Sequence, residues 1–398
     1  MTDRQTRVVH VTRQFWPSVG GIEDAVLNLC AHQRREHGID AVVITLDRLF
    51  GAPSQRLPAR ESVQDVPVLR IPWRGSRRYP IAPKVLSHLR HADIVHVHAI
   101  DFFFDFLALT RPLHKRPLVA STHGGFFHTQ FARSFKNAYF QTVTRGSARA
   151  YDAIVACSDA DAHRFKPITP GNLVTIENGA NVAKFRDGAS RTLRPTLLYF
   201  GRLGRHKRID SVFAVLQGLL RSRPDWSLVV AGSEWDVTFD ELKEAARQAG
   251  VADAVTFVPR PTDADLRALI SHASYFVCPS AHEGFGIAAV EALSAGLIPV
   301  LSAIPPFEKL VARTGVGFTY DPDEPQTAVE RLVQMSSLAP ADAAALRTLA
   351  QQAAASYDWG RVTDTYVSLY RRVLSQPGGL ATAGAGHLAL GGLDRPSA

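Results

Sequence analysis

Twice along this chain, short apolar runs alternate with longer amphipathic segments in the pattern that builds a parallel sheet. In the first half the runs are RVVHVT, DAVVITL, DIVHVHA, PLVASTH, AIVACS and LVTIEN. In the second they are TLLYFGR, WSLVVAG, VTFVPR, SYFVCPS, IPVLS and VGFTYD. Runs of about four to eight β-branched and aromatic residues suit strands buried on both faces. Parallel neighbours need crossover segments, here helical. The pattern predicts an α/β chain with two open, doubly wound parallel sheets, each with helices on both faces. Neither series carries a repeat of solenoid period.

A length of 398 residues suits two domains rather than one. Polar residues, Gly and Pro interrupt both series at Arg186–Pro195, which divides the chain into domains 1–192 and 193–356. Residues 357–375 form one more amphipathic helix, expected to pack back on the N-terminal domain. The Gly/Ala/Pro-rich stretch 376–398 is expected to be disordered. No apolar stretch approaches the roughly 18–20 residues of a spanning helix, and MTDRQTR lacks the apolar core of a signal peptide, so a cytoplasmic protein is expected. Cys30, Cys157 and Cys278 are far apart, odd in number and set in apolar runs, which suits packed thiols rather than a disulfide or metal site.

Charge is uneven. Through Thr192 there are 26 Lys/Arg against 16 Asp/Glu, a balance of +10; beyond it there are 19 against 21, a balance of −2. A basic half attracts nucleic acid, an anionic membrane or a phosphorylated substrate. Between Phe126 and Arg149, Phe131, Phe135 and Tyr139 interleave with Arg133, Lys136 and Arg145. At helical spacing these residues make either a membrane-interface face or a core helix with a basic back.

In open α/β sheets ligands bind beyond the carboxyl ends of the strands, so the loops there are the informative ones. Gly20 and Gly21 follow the first strand and precede a helix, without the G-x-G-x-x-G spacing of a dinucleotide site, which disfavours a nicotinamide enzyme. His123, before Gly124 and Gly125, ends a strand on the same edge, and Asn178-Gly179 follows another. In the second half, Arg202 and Lys207 emerge where a helix is expected to begin, so that their charges and its dipole converge on a diphosphate. Glu283 and Glu291 flank Gly284 and Gly286 at the start of a helix over Ala288–Ala295. Eight residues at about 1.5 Å of helical rise span about 12 Å, the order of separation between the sugar and the ribose of a nucleotide-sugar. The glycines would let backbone N–H groups reach a phosphate. An ordinary βαβ unit with two surface glutamates has the same spacing.

GRLGRHKRID, EGFGIAAVE, PSVGGIE and ENGANV together resemble the retaining glycosyltransferases of family four, over nearly all of residues 7–374. More narrowly, RQFWPSVGGIEDAVLNL, SRRYPIAP, AIDFFFDFLALT, STHGGFFHT and HEGFGIAAVEALSAGLIPVLSAIPPF are similar to the branch that moves α-mannose from GDP-mannose onto a cellobiosyl-diphosphopolyprenol in exopolysaccharide assembly. The resemblance implies a GT-B fold, two Rossmann-like domains facing across a cleft, with the acceptor on the first and the donor on the second. It places Arg202 and Lys207 on the donor diphosphate, Glu283 on the mannose and Glu291 on the ribose. The backbone from Gly284 through Phe285, Gly286 and Ile287 would lie at the β-phosphate. Gly20, Gly21 and Asn178 would join the donor contacts, with His123 beside the reacting sugar. The implied partners are GDP-mannose, a polyprenyl-diphosphate-linked oligosaccharide and the inner face of an anionic membrane, with no nucleic acid and no cofactor. Three D-x-D matches, Asp159/Asp161, Asp263/Asp265 and Asp321/Asp323, lie away from the donor motifs, and no metal is expected. His206 departs from many relatives, which carry an acidic residue before the lysine. A family-four enzyme with a UDP-glucose or UDP-GlcNAc donor or a soluble acceptor, and a nucleotide-sugar-binding protein without turnover, remain as alternatives.

Overall fold

The computed structural model describes residues 4–18, 20–77, 79–123, 137–169 and 171–375. They fall into two compact units, one ending at Gly179 and resuming at Trp359, the other Ala180–Asp358.

The first unit contains strands β1 (Arg7–Val11), β2 (Asp40–Leu46), β3 (Arg60–Val63), β4 (Val66–Ile71), β5 (Arg74–Ser76), β6 (Tyr79–Ile81), β7 (Ile94–His98), β8 (Leu118–Ser121), β9 (Ala153–Ala156) and β10 (Leu173–Thr175). Eight form one sheet, in the order β10-β9-β8-β7-β1-β2-β4-β3. The order reverses between β1 and β7, the switch point of a doubly wound sheet. The sheet is not wholly parallel, because β3 pairs with β4 antiparallel through Val63↔Val66. Gln64 and Asp65 make the turn with φ of 47° and 64°. Two left-handed residues are what a primed hairpin turn requires, and Gln-Asp supplies them without the usual Asn-Gly signal. A second hairpin, β5–β6, stands outside this sheet.

The second unit contains β11 (Thr196–Leu203), β12 (Ser227–Glu234), β13 (Val255–Pro259), β14 (Tyr275–Cys278), β15 (Ile298–Ser302) and β16 (Phe318–Tyr320). All pairs are parallel, in the order β13-β12-β11-β14-β15-β16. This is the 3-2-1-4-5-6 winding, with its switch point between β11 and β14.

Packing explains both crossings between the units. Ala180, Val182, Phe185 and Ala189 are buried in the core of the second unit. The chain therefore changes unit ahead of the polar stretch Arg186–Pro195, whose Asp187 and Ala189 amides bond the Ser294 and Ala295 carbonyls of that same unit. The helix Trp359–Ser375 buries Trp359, Val362, Tyr366, Tyr370 and Val373 in the core of the first unit, a stripe of i, i+3, i+4 spacing. Gly179 leaves room for it: a Cβ there would come within 2.5 Å of the Trp359 ring. Cys30, Cys157 and Cys278 are buried and free of disulfides. Among the described residues no helix is long and apolar enough to cross a membrane.

Candidate active site

At the switch point of the second unit, the carboxyl ends of β11 and β14 lie side by side, and two loops meet there. The Ala281 amide donates to the His206 carbonyl at 2.7 Å, tying the loops together. The rings of His206 and His282 stack with centroids 4.9 Å apart. Beside them the Lys207 ammonium donates to Oε1 of Glu283 in an ion pair whose side chains are 18% and 14% exposed. Ser280 Oγ donates to the same oxygen at 2.8 Å, and the Cys278 thiol lies 3.9 Å from it. A carboxylate has two oxygens, and all three groups converge on one, which leaves Oε2 facing away from them. Burial, with the Glu283 charge next, pushes the Cys278 thiol up to about 11. Desolvation, then Lys207, holds His206 below the usual histidine range. The site is thus a charge pair, half withdrawn from water, beside two stacked histidine rings.

The glycine turn that follows is strict in one place. Gly286 has φ +85°, and a Cβ there would come within 2.6 Å of Phe307; it is the N-cap of the helix Ile287–Ala295. Gly284 has nothing within 4 Å of a Cβ position. The helix starts at Ile287, so Glu291 sits on its second turn, while Glu283 belongs to the preceding loop. Only half of the eight-residue spacing is therefore helical rise. The Ala289 and Val290 amides bond the Gly286 carbonyl, so the amides of Ile287 and Ala288 are the first-turn donors without an intrahelical acceptor.

Arg202 departs from expectation. It lies within β11, and its guanidinium stacks 5.4 Å from the ring of Trp235, which is 72% exposed. Lys207 lies on the short 3-10 turn Arg205–Lys207, and the α-helix begins only at Val212. The helix that begins directly after the Glu283 loop is the one at Ile287.

The D-x-D pairs are engaged elsewhere. Asp265 closes a capping box with Thr262, and Asp263 pairs with Lys184 at 2.8 Å. Asp161 accepts from Thr122 at 2.6 Å in a helix capped by Ser158. Asp323 pairs with Arg208, and its amide donates to Asp321 at 2.9 Å.

The first unit has its own rim. Where β1 and β7 part, a cavity of about 480 Å³ is lined by Thr12, Arg13, Gln14, Glu23, Phe50, His98 and their neighbours, within the size range of ligand sites. Arg13 pairs at 2.9 Å with buried Asp101, whose carboxyl is raised to about 6 by burial. Gly20 and Gly21 open the helix Gly21–His37 beside this cavity, and a Cβ on Gly20 would meet the Glu23 carboxylate. His123 follows β8 with φ 49°. Its Nε2 lies 3.0 Å from His98 Nδ1 and its Nδ1 lies 3.7 Å from the Cys157 thiol. Both ring nitrogens are thus engaged by the protein itself. Asn178 follows β10, one residue before Gly179 packs under Trp359. The ligand atoms of His10, His96 and His98 lie within 4.8 Å of one another.

Phe131, Arg133, Phe135 and Lys136 lie outside the described residues, as does 376–398. Tyr139 is half-buried and donates to the Asp105 carboxylate. Arg145, exposed, begins a short helix after a π-turn at Phe140–Thr144, and Phe140 is buried. Tyr139 and Arg145 therefore do not share one regular helical face.

A family model described as "Glycosyltransferase Family 4" matches residues 19–184, and one described as "Glycosyl transferases group 1" matches residues 183–352. A GDP-mannose:cellobiosyl-diphosphopolyprenol alpha-mannosyltransferase of Komagataeibacter xylinus is 48% identical over 96% of this chain and 98% of its own length. A protein of the same name from Xanthomonas campestris is 46% identical over 93% and 98%. The chain belongs to glycosyltransferase family 4. The fold of this glycosyltransferase is GT-B, built of two Rossmann-like domains. Sucrose-phosphate synthase of Thermosynechococcus elongatus superimposes with a TM-score of 0.71 at 17% identity, covering 93% of this chain and 100% of that one. Anabaena HepE in complex with UDP and glucose gives 0.71 at 17%, covering 92% and 100%.

Sequence reasoning on this glycosyltransferase missed Ser280 and Cys278, which flank Glu283, and Trp235 under Arg202. It also missed the buried polar cluster beneath the first rim. The cluster had a signal: VHVH places His96 and His98 on one face of a strand by its period of two.

Proposed function

We propose that this glycosyltransferase moves mannose from GDP-mannose, with retention of the α configuration, to a cellobiosyl-diphosphopolyprenol. The observation that carries the reading is the meeting of Lys207 with Glu283 at the second unit's switch point, in a chain similar end to end to enzymes named for that reaction. Lys207, the amides at Ile287 and Arg202, released from Trp235, hold the donor diphosphate. The Gly284–Ile287 backbone lies along the β-phosphate, Glu291 takes the ribose, and Glu283 presents its free oxygen to the mannose. In the transition state positive charge grows at the anomeric carbon and negative charge on the departing phosphate, so preorganised cations and amides at the phosphate stabilise it most. The acceptor hydroxyl attacks from the leaving-group face, and its proton passes to the departing phosphate oxygen.

Acceptor binding falls to the first unit, supported by its cavity and its positive charge. Membrane contact at the inner leaflet draws support from Leu109 and Leu113, 80% and 77% exposed beside Arg111 and Lys115. A metal-independent reaction is supported by the D-x-D carboxylates, which already serve as caps and ion-pair partners. The test is a panel of GDP- and UDP-sugars offered with polyprenyl-diphosphate cellobiose and EDTA. The expected product is α-mannosyl cellobiose on the lipid, formed from GDP-mannose alone. Transfer only from a UDP-sugar, or only after manganese is restored, overturns the corresponding part.

A further inference from the structure

Beneath the first rim, polar side chains from six segments, all buried except the partly exposed His123, form one continuous hydrogen-bonded path. Gln33, on the helix Gly21–His37, meets His10 Nε2 with its carbonyl oxygen at 2.9 Å. Its amide nitrogen donates to the Tyr370 hydroxyl at 3.2 Å. From His10 one arm runs through Nδ1 to His98 Nε2 at 2.9 Å, then from His98 Nδ1 to His123 Nε2 at 3.0 Å, and on to the Cys157 thiol. From Tyr370 the other arm runs to His96 Nδ1 at 2.7 Å, from His96 Nε2 to Ser121 Oγ at 2.8 Å, and to the Tyr366 hydroxyl at 3.1 Å. Tyr366 in turn interacts with Cys157, which brings the arms together.

The path has a direction. A neutral imidazole donates from one nitrogen and accepts at the other, and a hydroxyl can do both. These groups reverse their sense by moving a proton. An amide reverses only by turning over, because its donor and acceptor are different atoms. With the Gln33 oxygen toward His10, His10 carries its proton on Nε2 and accepts at Nδ1. His98 must then donate from Nε2 and accept at Nδ1, and His123 likewise. On the other arm Tyr370 accepts from Gln33 and donates to His96 Nδ1, so His96 is also an Nε2–H tautomer. A proton added to His10 or His98 would replace an acceptor by a donor facing another ring's donor. In agreement, burial lowers His10 and His123 to about 4 and keeps His96 and His98 well below the usual range. Of the charges around the path, Asp161 acts on Cys157 and is satisfied by Thr122, while Arg13, paired with Asp101, and Glu23 line the cavity that His98 also lines.

We propose that Gln33 and Tyr370 are positioning residues for the transfer reaction: Gln33 fixes, through His10, the tautomer and orientation of His98 and His123 on the rim, and Tyr370 fixes His96, which makes the helix Trp359–Ser375 part of the site. This rests on the reading of that rim as the acceptor side. The same three-histidine group would suit a cation, but every nitrogen in it already has a hydrogen-bond partner, and the hydrogen-bonded form accounts for all of them.

The first part of the test needs no substrate. Two-bond ¹H–¹⁵N spectra of the full chain labelled on histidine should show these four imidazoles as Nε2–H tautomers, unchanged from pH 7.5 to 5.5. Tyr370→Phe cuts one arm, so His96 should lose its single tautomer while His123 keeps it. Gln33→Glu offers a second acceptor where Tyr370 needs a donor and favours a charged His10. It should bring an imidazolium signal and a histidine-like acid limb into the pH range 5.5–7.5, and lower kcat at least fivefold with the donor KM changed less than twofold. Nδ1–H or mixed tautomers in the wild type would overturn the proposal, as would a stoichiometric divalent metal in the purified protein, or Gln33→Glu with wild-type kcat and pH profile. Should Gln33→Glu fail to fold, the wild-type and Tyr370→Phe spectra decide alone. A donor panel that fails while the tautomers hold would count against the sugar-transfer reading and leave the network standing.

Discussion

The two units share a winding and differ in what they place at its switch point. Each sheet reverses its order next to its first strand, and in each the loops after two neighbouring strands form the rim. In the second unit those loops carry a cation, a carboxylate and a glycine-broken helix start, half open to water. In the first they rest on neutral, buried, hydrogen-bonded histidines beside a cavity. One topology thus supplies a rim whose open cation and carboxylate suit a leaving diphosphate and another whose neutral histidines suit hydroxyl groups. The fold fixes where a site lies, and the residues after the strands decide its chemistry.

The largest expected effect breaks the charged rim. Glu283→Gln keeps the shape and the contact to Ser280 but removes the charge. Turnover should fall at least tenfold, about 1.4 kcal/mol of barrier, with little change in GDP affinity. Full activity would show that the carboxylate does not act on the sugar.

Acid should separate the two units next. His10 and His123 ionise at about 4 in the folded chain and near 6.5 when unfolded. Between these values the unfolded chain binds more protons, so stability is fully present above about pH 6.5 and is lost as pH falls toward 4. The first unit should therefore melt roughly 5 °C or more lower at pH 4.5 than at pH 7.5, followed by Trp359 fluorescence against Trp226 with single-tryptophan variants. A second unit that loses as much as the first would contradict the contrast.

The smallest effect concerns Arg202. Its guanidinium is stacked on an exposed ring, an interaction of about 0.5–1 kcal/mol that must be given up to reach a phosphate. Arg202→Ala should weaken GDP only two- to fivefold in calorimetry, and Trp235→Ala should tighten it slightly. A loss above tenfold for Arg202→Ala would mean that the cation is already poised.

Much of this was legible in the sequence, and what was not has physical causes. Twelve strands stood out as short apolar, β-branched runs, largely buried except for the edge strands β10 and β13. β4 did not, since Pro67 and Arg70 interrupt it and its hairpin turns on Gln-Asp. The unit boundary was placed late because Ala180, Val182, Phe185 and Ala189 are sparse anchors that show as core only once the second sheet stands behind them. Glu283 and Lys207 were each visible, but their pairing spans 76 positions and depends on β11 and β14 being neighbours. The histidines of the first rim sit in apolar strands and look singly like packed core. Their meaning comes from Gln33 and Tyr370, 337 positions apart.

The most direct test is calorimetric titration of GDP into the wild type, Lys207→Ala and Tyr370→Phe. A charge-assisted contact of roughly 1.5–3 kcal/mol predicts tenfold to over a hundredfold weaker binding for Lys207→Ala and wild-type binding for Tyr370→Phe. Unchanged affinity in Lys207→Ala, or an equal loss in Tyr370→Phe, would contradict the assignment of the diphosphate to the charged rim of the second unit.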